Sequence, residues 1–161
     1  MEIKLPPNTK PDSYWAAKET LDNEAEIEEW AIHDLNNFNN YPLEKHKAYL
    51  RTLPFHKDFI CHTLGPDTKG VEAYISYIEM FFGAFSNLHV GVQNLIVKGD
   101  MLAIHYILSG KNTGKFMGKP PTNKEFTMKM MEFHKFAGGK FTEGWVVGDT
   151  AAFASQLGLL K

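Results

Sequence analysis

The feature that most constrains this chain is a change of hydrophobic period near its middle. Val71, Tyr74, Ile75, Ile78, Phe81, Phe82 and Phe85 recur at three- and four-residue steps, which predicts a helix with one broad apolar face. After Ser86 the step becomes two. Leu88, Val90 and Val92 alternate with His89, Gly91 and Gln93, and a Gly99-Asp100 turn leads into Leu102, Ile104, Tyr106 and Leu108, which predicts a hairpin. Helices first and an antiparallel meander second make an α+β chain with the helices on one face of the sheet. A strongly curved sheet closed by helices is cone-shaped, and the interior of a cone is either packed solid or lined with chemistry.

The flanking segments complete that plan. Pro6 to Pro11 reads as an extended lead-in, with Asp12 or Ser13 placed to cap a first helix. Ile27, Trp30, Ala31, Leu35 and Phe38 fall at helical spacing between Glu24 and Phe38, and Tyr41-Pro42 opens a shorter helix. His56 to His62 reads as a short strand or an irregular wall. Beyond a Gly-, Pro- and Lys-rich loop from Gly110 to Lys124, a long strand runs from Glu125 to Phe136. It turns at Gly138-Gly139 into Lys140 to Val147, and a short helix carrying Phe153 and Leu157 ends the chain. No linker or repeat divides the 161 residues, so the expectation is one domain over 1–161, with a helical N-terminal part at 1–54.

Composition narrows the function classes. Apolar residues make up 43% and aromatic residues 13%, enough for a core and a lined pocket together. Seventeen basic residues against nineteen acidic ones leave a formal charge of -2, so nothing draws the protein to a phosphate backbone and no nucleic-acid partner is expected. Cys61 is the only cysteine, which excludes an internal disulfide and a cysteine-rich metal site. There is no secretory apolar stretch at the start and no run of roughly 18 apolar residues, so a cytoplasmic protein with no membrane partner is expected. Seven histidines are present, but none forms a short-spaced ligand pair, and no metal is expected.

The last strand and its exit carry the strongest candidates. Glu143, Trp145, Val147 and Asp149 share one parity and point to one face of a regular strand. Asp149, just before Thr150, reads either as a helix N-cap or as a carboxylate at an aromatic pocket, where desolvation would raise its pKa and suit it to acid/base work. Trp145 is either core or a platform for a flat ligand, and Glu143 is either buried with a partner or solvated near the hairpin. His105 lies mid-strand as a satisfied interior or interface histidine or as a catalytic one, and His62 could close one wall of the cone. Glu132 and His134 share a face of the long strand and read equally well as a solvated pair. Cys61 reads as a small core residue.

These residues sit in an order that resembles the SnoaL-like polyketide cyclases. The resemblance is carried by Asp58-Phe59 with His62, by Phe85-Ser86-Asn87-Leu88, and by Lys98-Gly99-Asp100 leading to a strand that ends at Gly110. Thr113 to Thr122, Gly139-Lys140, Glu143, Trp145, Asp149 and Gln156-Leu157-Gly158 follow. It spans about Phe55 to Leu160, making 55–161 the family-like core. The resemblance implies the nuclear-transport-factor-2-like fold, a cystatin-like cone with the N-terminal helices packed on the concave face of the sheet, usually dimeric or larger; Val, Leu and Tyr on both parities of the strands point to a homodimer through the sheet. The resemblance also implies ring closure by intramolecular aldol condensation without cofactor or metal, with Asp149 matching the acidic residue that removes the proton α to a carbonyl. His105 stands where an arginine is common, Lys111-Asn112 where Thr-His is usual, and Val146 where an acidic residue often follows the Trp.

Two functions from different classes follow. The first is a cofactor-independent acid/base enzyme, or ester cyclase, acting on a small hydrophobic carbonyl compound. Asp149 would be its base, His105 or His62 the donor to the enolate oxygen, and Trp145, Phe133 and Phe82 the substrate-holding residues. A hydrolase or dehydratase on the same cone is a near variant. The second is a non-catalytic module that binds a small apolar ligand or dimerises through the sheet, and a cone filled as a scaffold is a third possibility. Asp149 discriminates: buried in the cavity it favours the enzyme, capping a helix in solvent it favours the binding module.

Overall fold

The structure, a computed structural model, describes residues 1–160. Helix α1 (Asp12–Ala16) starts after Pro11, and neither Asp12 nor Ser13 caps it. The Asp12 carboxylate instead turns to α2 (Glu24–Asn40) and beyond, accepting hydrogen bonds from His33 Nε2 at 2.7 Å, Asn37 at 3.1 Å and the Tyr41 hydroxyl at 2.8 Å. Asn23 caps α2 through the Glu26 amide, and the helix buries Ile27, Trp30, Ala31 and Leu35 along one stripe. Pro42 opens α3 (Leu43–Leu50), where its fixed φ suits a helix start. The histidine-bounded segment is a regular strand, β1 (Phe55–His62), followed by a two-residue β2 (Thr68–Lys69). Gly70, at φ 80, lets the chain turn into α4 (Val71–Ala84).

The meander follows as β3 (Phe85–Lys98), β4 (Met101–Asn112), β5 (Glu125–Ala137) and β6 (Lys140–Gly148), closed by α5 (Thr150–Gln156). The six strands form one curved, unclosed sheet in the order β2-β1-β6-β5-β4-β3. The meander is antiparallel, as read, and the wall at His56 to His62 joins it differently: β1 pairs with β6 in parallel, Ile60 opposite Glu143 and His62 opposite Trp145. That pairing joins segments eighty residues apart, which no local pattern encodes.

A bulge bends the sheet. Val92 pairs with Tyr106 but Asn94 pairs with His105, so Gln93 is the extra residue. The inward set on β3 therefore switches from Val90 and Val92 to Leu95 and Val97. The concave face carries Ile104, Tyr106, Leu108, Met128, Met130 and Phe136, all buried. Helices α2, α3 and α4 lie over that face, as expected. The edge of β3 is covered by the N-terminal lead-in, where the Ile3 amide donates to the Val92 carbonyl at 2.7 Å. No helix among the described residues is long and apolar enough to cross a membrane.

Candidate functional site

Between the helices and the concave sheet lies a cavity of about 120 Å³. Its walls are mostly apolar, with Phe38, Phe82 and Leu108 among them, yet it also holds two carboxyl groups, Asp34 from α2 and Glu132 from β5. Both stand at core positions of their elements. Asp34 is seven residues after Ile27 and four after Trp30, on the apolar stripe of α2. Glu132 shares its parity with Met128, Met130 and Phe136 on β5.

The two acids differ in what surrounds them. Glu132 accepts hydrogen bonds from the Tyr106 hydroxyl and from His134 Nε2, the latter at 2.8 Å. Burial disfavours its charge, but His134 and Tyr106 outweigh that cost and hold its carboxyl below the usual range. The expectation of a solvated Glu132–His134 pair is corrected here, since both side chains point inward and His134 is buried. Asp34 has no such help. Its Oδ1 is sealed from solvent without a hydrogen-bond partner, and what surface the residue retains belongs to the cavity. Burial, and behind it the charge of Glu132, push its carboxyl up to about 7. A carboxyl poised there can take and return a proton at neutral pH.

Three tyrosines and one histidine complete the polar lining. Tyr74 and Tyr77 project from α4 and Tyr106 from β4. Burial raises the pKa of each, so all three keep their protons and serve as hydrogen-bond donors. Tyr106 donates its hydrogen bond to Glu132, whereas Tyr74 shows no hydrogen bond to a neighbour. Burial pushes His46 down to about 4, so it is neutral in the cavity wall. Among the described residues no lysine or arginine lines the cavity, and no group of three or more His, Cys, Asp or Glu side chains could hold a metal ion.

Of the residues given a catalytic or substrate-holding role from the sequence, Phe82 alone lines this cavity, beside Glu132, which the sequence offered only as half of a pair with His134. Asp149 is exposed and caps α5, its Oδ1 accepting the Ala152 amide at 3.0 Å. Trp145 pairs with Phe133 across β6 and β5, and the parity of that pair is opposite to the Glu132–Val146 pair that faces the cavity. Both therefore belong to the outer face of the sheet. His62 joins them: its ring stacks on Trp145 with centroids 5.6 Å apart, and its two nitrogens meet Glu143 at 2.8 Å and Asp67 at 3.1 Å. Those two carboxylates, Glu143 foremost, raise the His62 pKa. His105, opposite Asn94 and Met131, lies on the same outer face and meets Asn94 at 3.1 Å. The structure thus brings His62, Glu143, Trp145 and Phe133 together on the side away from the cavity. Cys61 is a buried core residue, as read, its thiol pushed up to about 12 by burial.

Comparison with known proteins gives the same picture of the fold. The sequence model of the SnoaL-like polyketide cyclases matches residues 43–157. Among solved structures, TsrD from Streptomyces laurentii superposes with a TM-score of 0.71 at 21% identity, covering 86% of this chain and 99% of that one. IdmH from Streptomyces antibioticus gives 0.62 at 26% identity over 77% and 92% of the two chains. A protein of Catenulispora acidiphila with a ketosteroid isomerase-like fold gives 0.62 at 16% identity over 78% and 89%. Comparison with curated protein sequences finds no match.

Proposed function

The chain belongs to the SnoaL-like polyketide cyclase family, and on that footing we propose a cofactor-independent acid/base enzyme acting on a small hydrophobic carbonyl compound. The observation that carries this reading is the Asp34 carboxyl, held near neutrality by burial in an aromatic cavity. Asp34 removes the proton α to the carbonyl and later returns it. The Tyr74 hydroxyl, protonated and unengaged, donates to the enolate oxygen as it gains charge. Glu132, already bonded to Tyr106 and His134, stays ionised and keeps Asp34 from giving up its proton at lower pH.

This reading moves the base from Asp149 to Asp34. Turnover of small aromatic β-keto esters and epoxides by the wild type, Asp34→Asn and Asp149→Asn decides between them. Asp34→Asn is expected to lose at least about a hundredfold and Asp149→Asn to retain activity; the reverse pattern returns the role to Asp149.

The exposed cap at Asp149 favours the second reading, a binding module that uses the same cavity without catalysis. Ligand binding with no turnover in the wild type selects it. The proposed assembly is a homodimer through the outer face of the sheet, where Ile96, Met131, Phe133 and Val147 are all about half exposed or more. A cytoplasmic setting fits the lone buried Cys61.

A further inference from the structure

We propose that the cavity is a receptor for a small, one-ring hydrophobic amine in its protonated form, the ammonium seated on Asp34 and the ring among the aromatic walls. The inference goes beyond the acid/base reading, for it needs Asp34 as the unpartnered acceptor of the cavity and not as a base.

Three observations meet in it. The first is a carboxyl without a donor: Asp34 lines the cavity, is only partly buried as a residue, and no neighbouring side chain or amide bonds its Oδ1. A buried acceptor left unpaired costs about 1–3 kcal/mol, more when it is charged. A neutral alcohol would supply only the hydrogen bond. An ammonium supplies the bond and the compensating charge together.

The second is the charge balance of the walls. The titratable groups that face the cavity are Asp34 on α2, His46 on α3, Tyr74 and Tyr77 on α4, Tyr106 on β4 and Glu132 on β5. His46 is neutral, the tyrosines are neutral, and Glu132 is matched by His134. No cationic side chain lines the cavity among the described residues, so a ligand carboxylate or phosphate meets two acids and no counter-charge. A ligand cation meets two acids and aromatic faces that attract it. The third is size. A cavity of about 120 Å³ is of the order that holds one benzene-sized ring.

Three ligands of similar size separate the possibilities on the full chain by calorimetry at pH 7: N,N-dimethylbenzylamine, its uncharged analogue isobutylbenzene, and phenylacetate. The amine is expected to bind at least about tenfold more tightly than isobutylbenzene, and phenylacetate not to bind. Asp34→Asn is expected to bring the amine down to the level of isobutylbenzene. A wild-type readout guards against a variant that fails to fold. Because Asp34 sits near pH 7 in the empty cavity, binding the cation should release about half a proton at pH 7, seen by repeating the titration in buffers of different ionisation enthalpy. Isobutylbenzene binding as tightly as the amine, phenylacetate binding, or no proton release overturns the inference. The two proposals fail separately. Turnover through Asp34 without amine preference removes the receptor alone, and amine binding without turnover removes the enzyme alone.

Discussion

The two faces of one sheet present nearly the same side-chain chemistry and treat it in opposite ways. On the outer face His62 is gripped by Glu143 and Asp67 beneath Trp145, and all of these groups keep contact with water. On the concave face Glu132 is gripped by Tyr106 and His134, and Asp34 stands beside it with no partner. Water outside stabilises charge whether or not a partner is present; inside, the partner decides it. The exposed triad is an ordinary surface ion-pair network. The buried one leaves a carboxyl near neutrality, and that difference is where acid/base chemistry becomes possible.

The sharpest way to break this contrast is through pH. In the folded protein Asp34 holds its proton up to about 7, against an ordinary value of 3.8. Between those values the native state binds the extra proton, so stability is lost as pH rises toward and through 7. The wild type is expected to lose on the order of 3 kcal/mol from this group between pH 5 and pH 8. Urea unfolding at both values measures it, and Asp34→Asn should flatten that slope. An unchanged slope in the variant would mean Asp34 titrates as a solvated acid.

Glu132→Gln removes the charge but keeps the shape. Tyr106 and His134 then lose their anionic partner, and a cost of about 3 kcal/mol is expected in the same unfolding assay. The activity profile should also move, its acid limb shifting to lower pH, because Glu132 is the second cause of the raised Asp34 pKa. Desolvation is the first cause, so most of the shift should remain.

On the outer face the expected effects are smaller and of another kind. Phe133→Asp should weaken a sheet-mediated dimer by about 2 kcal/mol, roughly thirtyfold, seen by sedimentation. Ligand binding in the cavity should be untouched, since Phe133 points the other way. Smallest of all, Asp149→Ala removes the α5 cap and should cost about 1 kcal/mol with turnover unchanged. A large loss of turnover there would return the chemistry to the mouth of the cone.

Much of the fold was legible because periodicity is local. The apolar stripe from Val71, the alternation after Ser86 and the turns at Gly99-Asp100 and Gly138-Gly139 all reappear within a residue or two. The site was less legible. Asp34 and Glu132 did leave a signal, a carboxylate at a core-stripe position of a helix and another at an inward parity of a strand. That signal is easily missed, for a single charge on an apolar stripe reads as an edge of that stripe. Asp149 drew notice because its local setting fits both a cap and an acid, and a cap is what it became.

The sequence by itself determined the order of elements, since each rests on residues near one another along the chain, and the family, through motifs kept in order from Phe55 to Leu160. Only the tertiary structure decided which side of the sheet is enclosed, which carboxyl is deprived of partners there, and that β1 runs parallel to β6. The physical reason is that desolvation belongs to a place and not to a residue. Asp34 differs from Asp149 only in what three helices and four strands build around it.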